Sequence, residues 1–215
     1  ARVIRDAHRR HLKATRWTLN TQSRRSIPAS ASSWICPCEM PDSSYWESLP
    51  FPVILPPDAK TLKLWRFPKR QLLSEEWLEM EKLEFESEDG LASPVLKVLE
   101  FPVYKEGTFA GFVIRMHASL LEDGAEEIKT WCWDEEAEKE SCQGHWAQQV
   151  IIFPPAEVLV GDKISVTVDI DTSLLQPRYS FAATLQRQIG TKQPTLRDTA
   201  IIDLGKCVLE QPNFG

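Results

Sequence analysis

The chain reads as a mainly β protein: an antiparallel β-barrel or sandwich with a short N-terminal helix. Three observations predict this. From Trp17 onward, apolar residues recur at every second position, the period of a half-buried strand. Turn signals, among them Gly107, Gly161-Asp162 and Gln176-Pro177, separate the alternating segments at strand-like spacing. The 215 residues contain no internal repeat and are enough to bury a proper core, as one large β domain or two small ones.

Composition narrows the function classes. A net charge of -6 argues against the whole chain binding nucleic acid, which calls for a basic balance or stripe. No apolar run is long enough to span a bilayer. Five cysteines in an odd set, without a disulfide-scaffold rhythm, favour an intracellular, reducing compartment. The first residue is Ala, which admits either processing or a longer parent chain.

Residues 1–16 form the one expected helix before the barrel. Val3, Ile4, Ala7, His11 and Leu12 fall on one side at helical spacing. Around them Arg2, Arg5, Arg9, Arg10, Lys13 and Arg16 face a single acid, Asp6. The favoured reading is a basic face resting on a partner or on a cofactor domain. An Arg- and Ser-rich, acid-poor head is also the composition of an organelle transit peptide, so organelle import stands as the second reading.

Residues 17–215 are then the barrel domain. Trp34, Cys36 and Cys38 alternate, and Cys36-Pro37-Cys38 is too tight and isolated for a metal half-site, so a strand with two buried thiols is expected. Tyr45–Leu49 predicts one helical turn. Prolines 50, 52, 56, 57 and 68 then hold the following residues extended or turned. Residues 71–79 open with a short helix on this reading. Strands are expected at 80–86, 94–101 and 109–120, with Gly107 and Gly111 suited to a hairpin or bulge. Further strands are expected near 147–153, 163–171, 178–187 and 199–209.

Between them, Glu122–Glu140 is an acidic loop, with nine acids against two lysines. Cys132, Cys142 and His145 have a loose metal-like spacing but no defined fourth ligand, so no metal site is assigned. The stretch the chain is arranged around is Gly144-His145-Trp146-Ala147-Gln148-Gln149-Val150-Ile151-Ile152-Phe153, a His-Trp pair at the mouth of a strand. Trp146 can be a core plug with His145 a hydrogen-bonded packer. The other reading is that it grips a partner, with His145, Trp146, Glu135, Glu136 and Glu138 as the candidate substrate or partner contacts.

The order of Gly107–Leu120, a long polar loop, Gly144-His145-Trp146 entering an apolar strand, and then Leu159-Val160-Gly161-Asp162-Lys163-Ile164 resembles the C-terminal β-barrel of the protein arginine methyltransferases. Arg5–Lys13 is similar to that family's last helix before the barrel. Tyr45-Trp46 falls about where the family's dimerisation arm leaves it. The resemblance implies a barrel half that positions an Arg-bearing peptide, a cytoplasmic or nuclear setting, and for His145 a supporting role beside the active site. Trp146 would pack by the substrate entrance.

Departures accompany the matches. Gly144 replaces the family's Thr, and the arm at about 46–74 is proline-rich and remodelled. The family binds S-adenosylmethionine on a Gly-rich strand-to-helix turn, which this sequence does not supply, nor does it match the family's two-glutamate loop. After Lys13 no amphipathic segment is long enough to be a crossover helix. This chain alone is therefore expected to have no catalytic residue, to bind no cofactor and to be inactive. S-adenosylmethionine would enter only with a methyltransferase half lying N-terminal to Ala1. The alternative is a non-catalytic binding or assembly subunit of a larger complex, a pseudoenzyme that keeps only the barrel. Partners on either reading are proteins, a separate methyltransferase domain or a basic peptide.

Overall fold

The computed structural model describes residues 30–49, 58–64, 66–84, 94–119, 127–129, 147–171, 177–188 and 199–210. The helix expected at 1–16 lies outside the described residues. Ten strands are described: β1 (Ser30–Cys38), β2 (Thr61–Leu64), β3 (Leu78–Glu84), β4 (Val95–Pro102), β5 (Gly107–Ser119), β6 (Glu127–Lys129), β7 (Gln148–Val158), β8 (Lys163–Asp171), β9 (Arg178–Gln188) and β10 (Thr199–Glu210). They are joined by a helix, α1 (Ser43–Ser48), and a 3-10 turn at Lys69–Gln71.

All described strand pairs are antiparallel. One sheet runs β2-β7-β5-β1-β3, with β6 paired to the far end of β5; the other runs β10-β9-β8-β4. The two sheets face each other as a flattened barrel. At one seam, Lys97 Nζ of β4 donates to the Glu79 carbonyl of β3 at 3.2 Å. At the other, Gly205 of β10 comes close to the Pro154 ring of β7.

Alternation decides what lies between the sheets. Phe112 and Ile114 point inward from β5 while Val113 and Arg115 point outward. The inner core gathers Ile35, Phe101, Phe109, Phe112, Ile151, Phe153, Ile164, Val166, Val168, Ile170 and Phe181. Phe112 meets Phe109 and Phe153 edge-on, with centroids 5.2 and 5.5 Å apart. A second core covers the outer face of the first sheet. There Cys36, Cys38, Val113 and Val150 are sealed by Tyr45, Leu62, Leu64, Phe67 and Leu72. Cys36 and Cys38 are thus the buried thiols that their strand spacing predicts.

The expected bulge lies opposite Gly111, where β7 has Phe153, Pro154 and Pro155 against Ala110 alone on β5. The Gly111 φ is +150° and the β5–β7 register shifts between Phe109 and Gly111. Across the bulge Phe109 faces Ala156 and Gly111 faces Ile152, so Pro154 and Pro155 fall where no ladder donor is required. This lets β7 run through the prolines to Val158, five residues beyond the end expected at 153.

Two further expectations are corrected. The short helix expected to open 71–79 is displaced to a 3-10 turn at Lys69–Gln71, with extended chain following. Leu73 N donates to the Pro37 carbonyl and Tyr104 N to the Leu73 carbonyl, so this stretch spends its backbone groups bridging neighbours. The acidic stretch 122–140 is not loop throughout. Glu127–Lys129 is β6, held in register with His117–Ser119.

Candidate functional site

His145, Trp146, Glu135, Glu136 and Glu138 lie outside the described residues, as do Cys132 and Cys142. What is described is the strand mouth they lead into. Gln148 is 2% exposed, and its Oε1 accepts from Phe67 N at 3.2 Å. Arg66, just before Phe67, sits at φ +58°, a conformation that costs a non-glycine residue free energy. The β7 mouth is therefore clamped to the chain leaving β2.

The clasp beside α1 is ionic. Asp42 caps the helix, accepting from Tyr45 N at 3.1 Å and from Ser44 Oγ at 2.6 Å. Arg70 Nη2 reaches the same carboxylate at 3.0 Å. The Ser44 hydroxyl first, then the Tyr45 N–H and Arg70, hold the Asp42 carboxyl down at about 2. Next to it Glu39 accepts from Thr108 N at 3.0 Å and from Lys105 Nζ at 2.8 Å, and Lys105 also donates to the Arg70 carbonyl. These contacts fasten the segment around Arg70 to the end of the barrel.

On the outer face of the first sheet Arg115 lies 4.3 Å from the Trp77 ring centroid and 5.8 Å from that of Trp34. The alternation Val113, Arg115, His117 signals the outward face, but nothing local in the sequence shows that two indoles flank it.

Glu81 is an interior residue that the local alternation does not mark. In β1–β3 pairing Ser33 faces Glu81 but Trp34 faces Glu79, so Met80 is an extra residue that resets the parity. Glu81 is consequently 4% exposed, with the Tyr179 hydroxyl 3.4 Å from each of its carboxyl oxygens. Burial pushes the Glu81 carboxyl up, and burial plus the Glu81 charge push the Tyr179 phenol up.

Among the described residues no group of three or more His, Cys, Asp or Glu is placed to hold a metal, and no helix is long and apolar enough to cross a membrane. The four described glycines have structural roles. Gly107 abuts Glu39, Gly111 abuts the Ile151 carbonyl, and Gly161 and Gly205 take positive φ at a turn and a bulge. None of these four opens a helix of the sort that cradles a nucleotide cofactor.

No family model and no curated protein matches this sequence. A solved chain does match in three dimensions, with a TM-score of 0.57 and 10% sequence identity, over 98% of this chain. It comes from the Trypanosoma brucei PRMT1 enzyme-prozyme heterotetrameric complex with AdoHcy. The likeness shows the fold. This chain has a fold related to that of the solved chain, and it spans 65% of that chain's length.

Proposed function

We propose that this chain is the substrate-positioning or assembly barrel of a protein arginine methyltransferase-like protein and is not catalytic as a chain by itself. The observation that carries this is the fold likeness over 98% of the chain to a member of an enzyme-prozyme complex. Its described strands support the barrel part of this reading, since all of their pairings are antiparallel. On this reading Glu135, Glu136 and Glu138 steer a basic peptide. Trp146 packs at the peptide's path, and His145 supports an active site completed by a methyltransferase domain.

The direct test is calorimetry with S-adenosylmethionine on this chain alone, then after mixing with a separately expressed methyltransferase domain. No saturable binding is expected from the chain alone. Binding tighter than about 100 μM, an affinity of roughly 5–6 kcal/mol, overturns the reading. In the mixture, methyl transfer to an Arg-rich peptide is expected to appear, and His145→Ala to lower it. The prozyme in the neighbour's complex favours a second reading, a purely assembling subunit. On that reading the mixture forms a complex, and His145→Ala leaves its activity unchanged.

A further inference from the structure

β3 and β4 are end strands of different sheets, and side chains tie them together. Lys97 of β4 reaches the Glu79 carbonyl of β3 at 3.2 Å and its carboxylate at 3.7 Å. Two residues further along β3, Glu81 turns inward and meets Tyr179 of β9 in the opposite sheet. An inward carboxyl on a seam strand, held across the core by one phenol, is an unusual way to close a barrel. An apolar side chain at that position would close it without any dependence on pH.

We propose that the β3–β4 seam is a proton-linked latch, tight when Glu81 is protonated and looser when it is ionised. The protonated carboxyl and the phenol each carry one donor and spare acceptors, so they satisfy one another in the interior. On ionisation the proton passes to solvent water, and a full negative charge is left among core side chains. Among the described residues, the groups facing it are the Tyr179 hydroxyl from β9, the Ser33 hydroxyl from β1 and the Lys97 ammonium from β4. Lys97 and the two hydroxyls favour the ion, while burial disfavours it and is the larger effect.

The sign follows from that order. Glu81's folded value lies above its ordinary 4.5, so the latch is complete below that pH and weakens as pH rises through the folded value.

Hydrogen–deuterium exchange, corrected for the intrinsic pH dependence of amide exchange, tests this on the full chain. Protection in 78–84 and 95–102 is expected to fall as pH rises from 4.5 into the mildly alkaline range, while 163–171 at the centre of the second sheet holds steady. Glu81→Gln keeps the neutral donor-and-acceptor pattern, and its seam protection is expected to be flat with pH. Should that variant not fold, Tyr179→Phe serves. It removes the phenol that holds the carboxyl across the core, so seam protection is expected to be low and nearly flat over the same pH range. A wild-type seam whose protection does not vary with pH, or a Glu81→Gln or Tyr179→Phe seam that follows the wild-type course, overturns the proposal.

Discussion

Asp162 Oδ2 lies 2.8 Å from Arg187 Nη2, and the carboxylate that makes this contact is all but buried beneath the β7–β8 turn. The same oxygen accepts from Leu159 N at 2.9 Å, while the Asp162 carbonyl accepts from Val103 N. One side chain thus closes its own turn and ties it to β9, and its main chain ties it to the chain after β4. Gly161 supplies the φ of +93° that the turn needs.

Asp162→Ala is therefore expected to lower stability by about 1–3 kcal/mol, since it leaves the Leu159 N–H without its acceptor and takes the carboxylate from Arg187, whose Nη2 keeps the Glu157 carbonyl. Arg187→Ala should cost less, because the Leu159 N–H remains for the carboxylate. Equilibrium denaturant unfolding of the two variants checks the order. Equal costs would mean that the turn amide bond contributes nothing of its own.

Phe112 stands where the aromatic rings of β5 and β7 converge, with no exposed surface. Phe112→Ala should cost about 3–5 kcal/mol, the range for emptying a large buried site. A loss below about 1 kcal/mol in thermal or denaturant unfolding would show that the core collapses into the space.

Much of this architecture is legible in the sequence because alternation survives wherever a strand has one face on the core. Lys163–Asp171 forms at the residues its Ile164, Val166, Val168 and Ile170 mark out, and Gly107 and Gly111 bracket the strand and bulge expected of them. Legibility fails where a long-range contact overrides the local pattern. Met80 resets the parity of β3, so Glu81 reads as a surface acid in sequence and lies in the interior. Leu72 and Leu73 look helical, yet their burial on both sides of a bridge to β1 and to Tyr104 holds them extended. Of the candidate site, the strand mouth at Gln148 is described, while His145, Trp146 and the three glutamates rest on the sequence pattern and the resemblance.

The helix clasp at Asp42 has a defined pH window. Its folded value, about 2, lies below the ordinary 3.8, so the contribution is complete above pH 3.8 and is lost as pH falls toward 2. Trp46 sits in the capped helix, with Nε1 donating to the Pro41 carbonyl at 2.9 Å, and reports on it. An acid titration of tryptophan fluorescence should show a step in that window, and Asp42→Asn should remove it. A step that persists in the variant would assign the change to another carboxyl.

Gly111 offers the sharpest test of the bulge that shapes the central strand. A Cβ built there would lie 1.9 Å from the Ile151 carbonyl oxygen, which is backbone and fixed by the β5–β7 ladder on either side. Its φ of +150° is, in addition, a conformation that L side chains rarely adopt. Neither strain can be relieved without moving β7 away from β5, and that would disturb Phe112 and Val113 on both faces of the sheet. Gly111→Ala is therefore expected to cost roughly 3 kcal/mol or more and to lower the yield of folded protein. Gly161→Ala makes the contrast, since nothing lies within 4 Å of its added Cβ and only the turn conformation is strained. Circular dichroism melts of both variants decide the matter. If Gly111→Ala melts no lower than Gly161→Ala, the close approach to Ile151 is not what fixes the bulge.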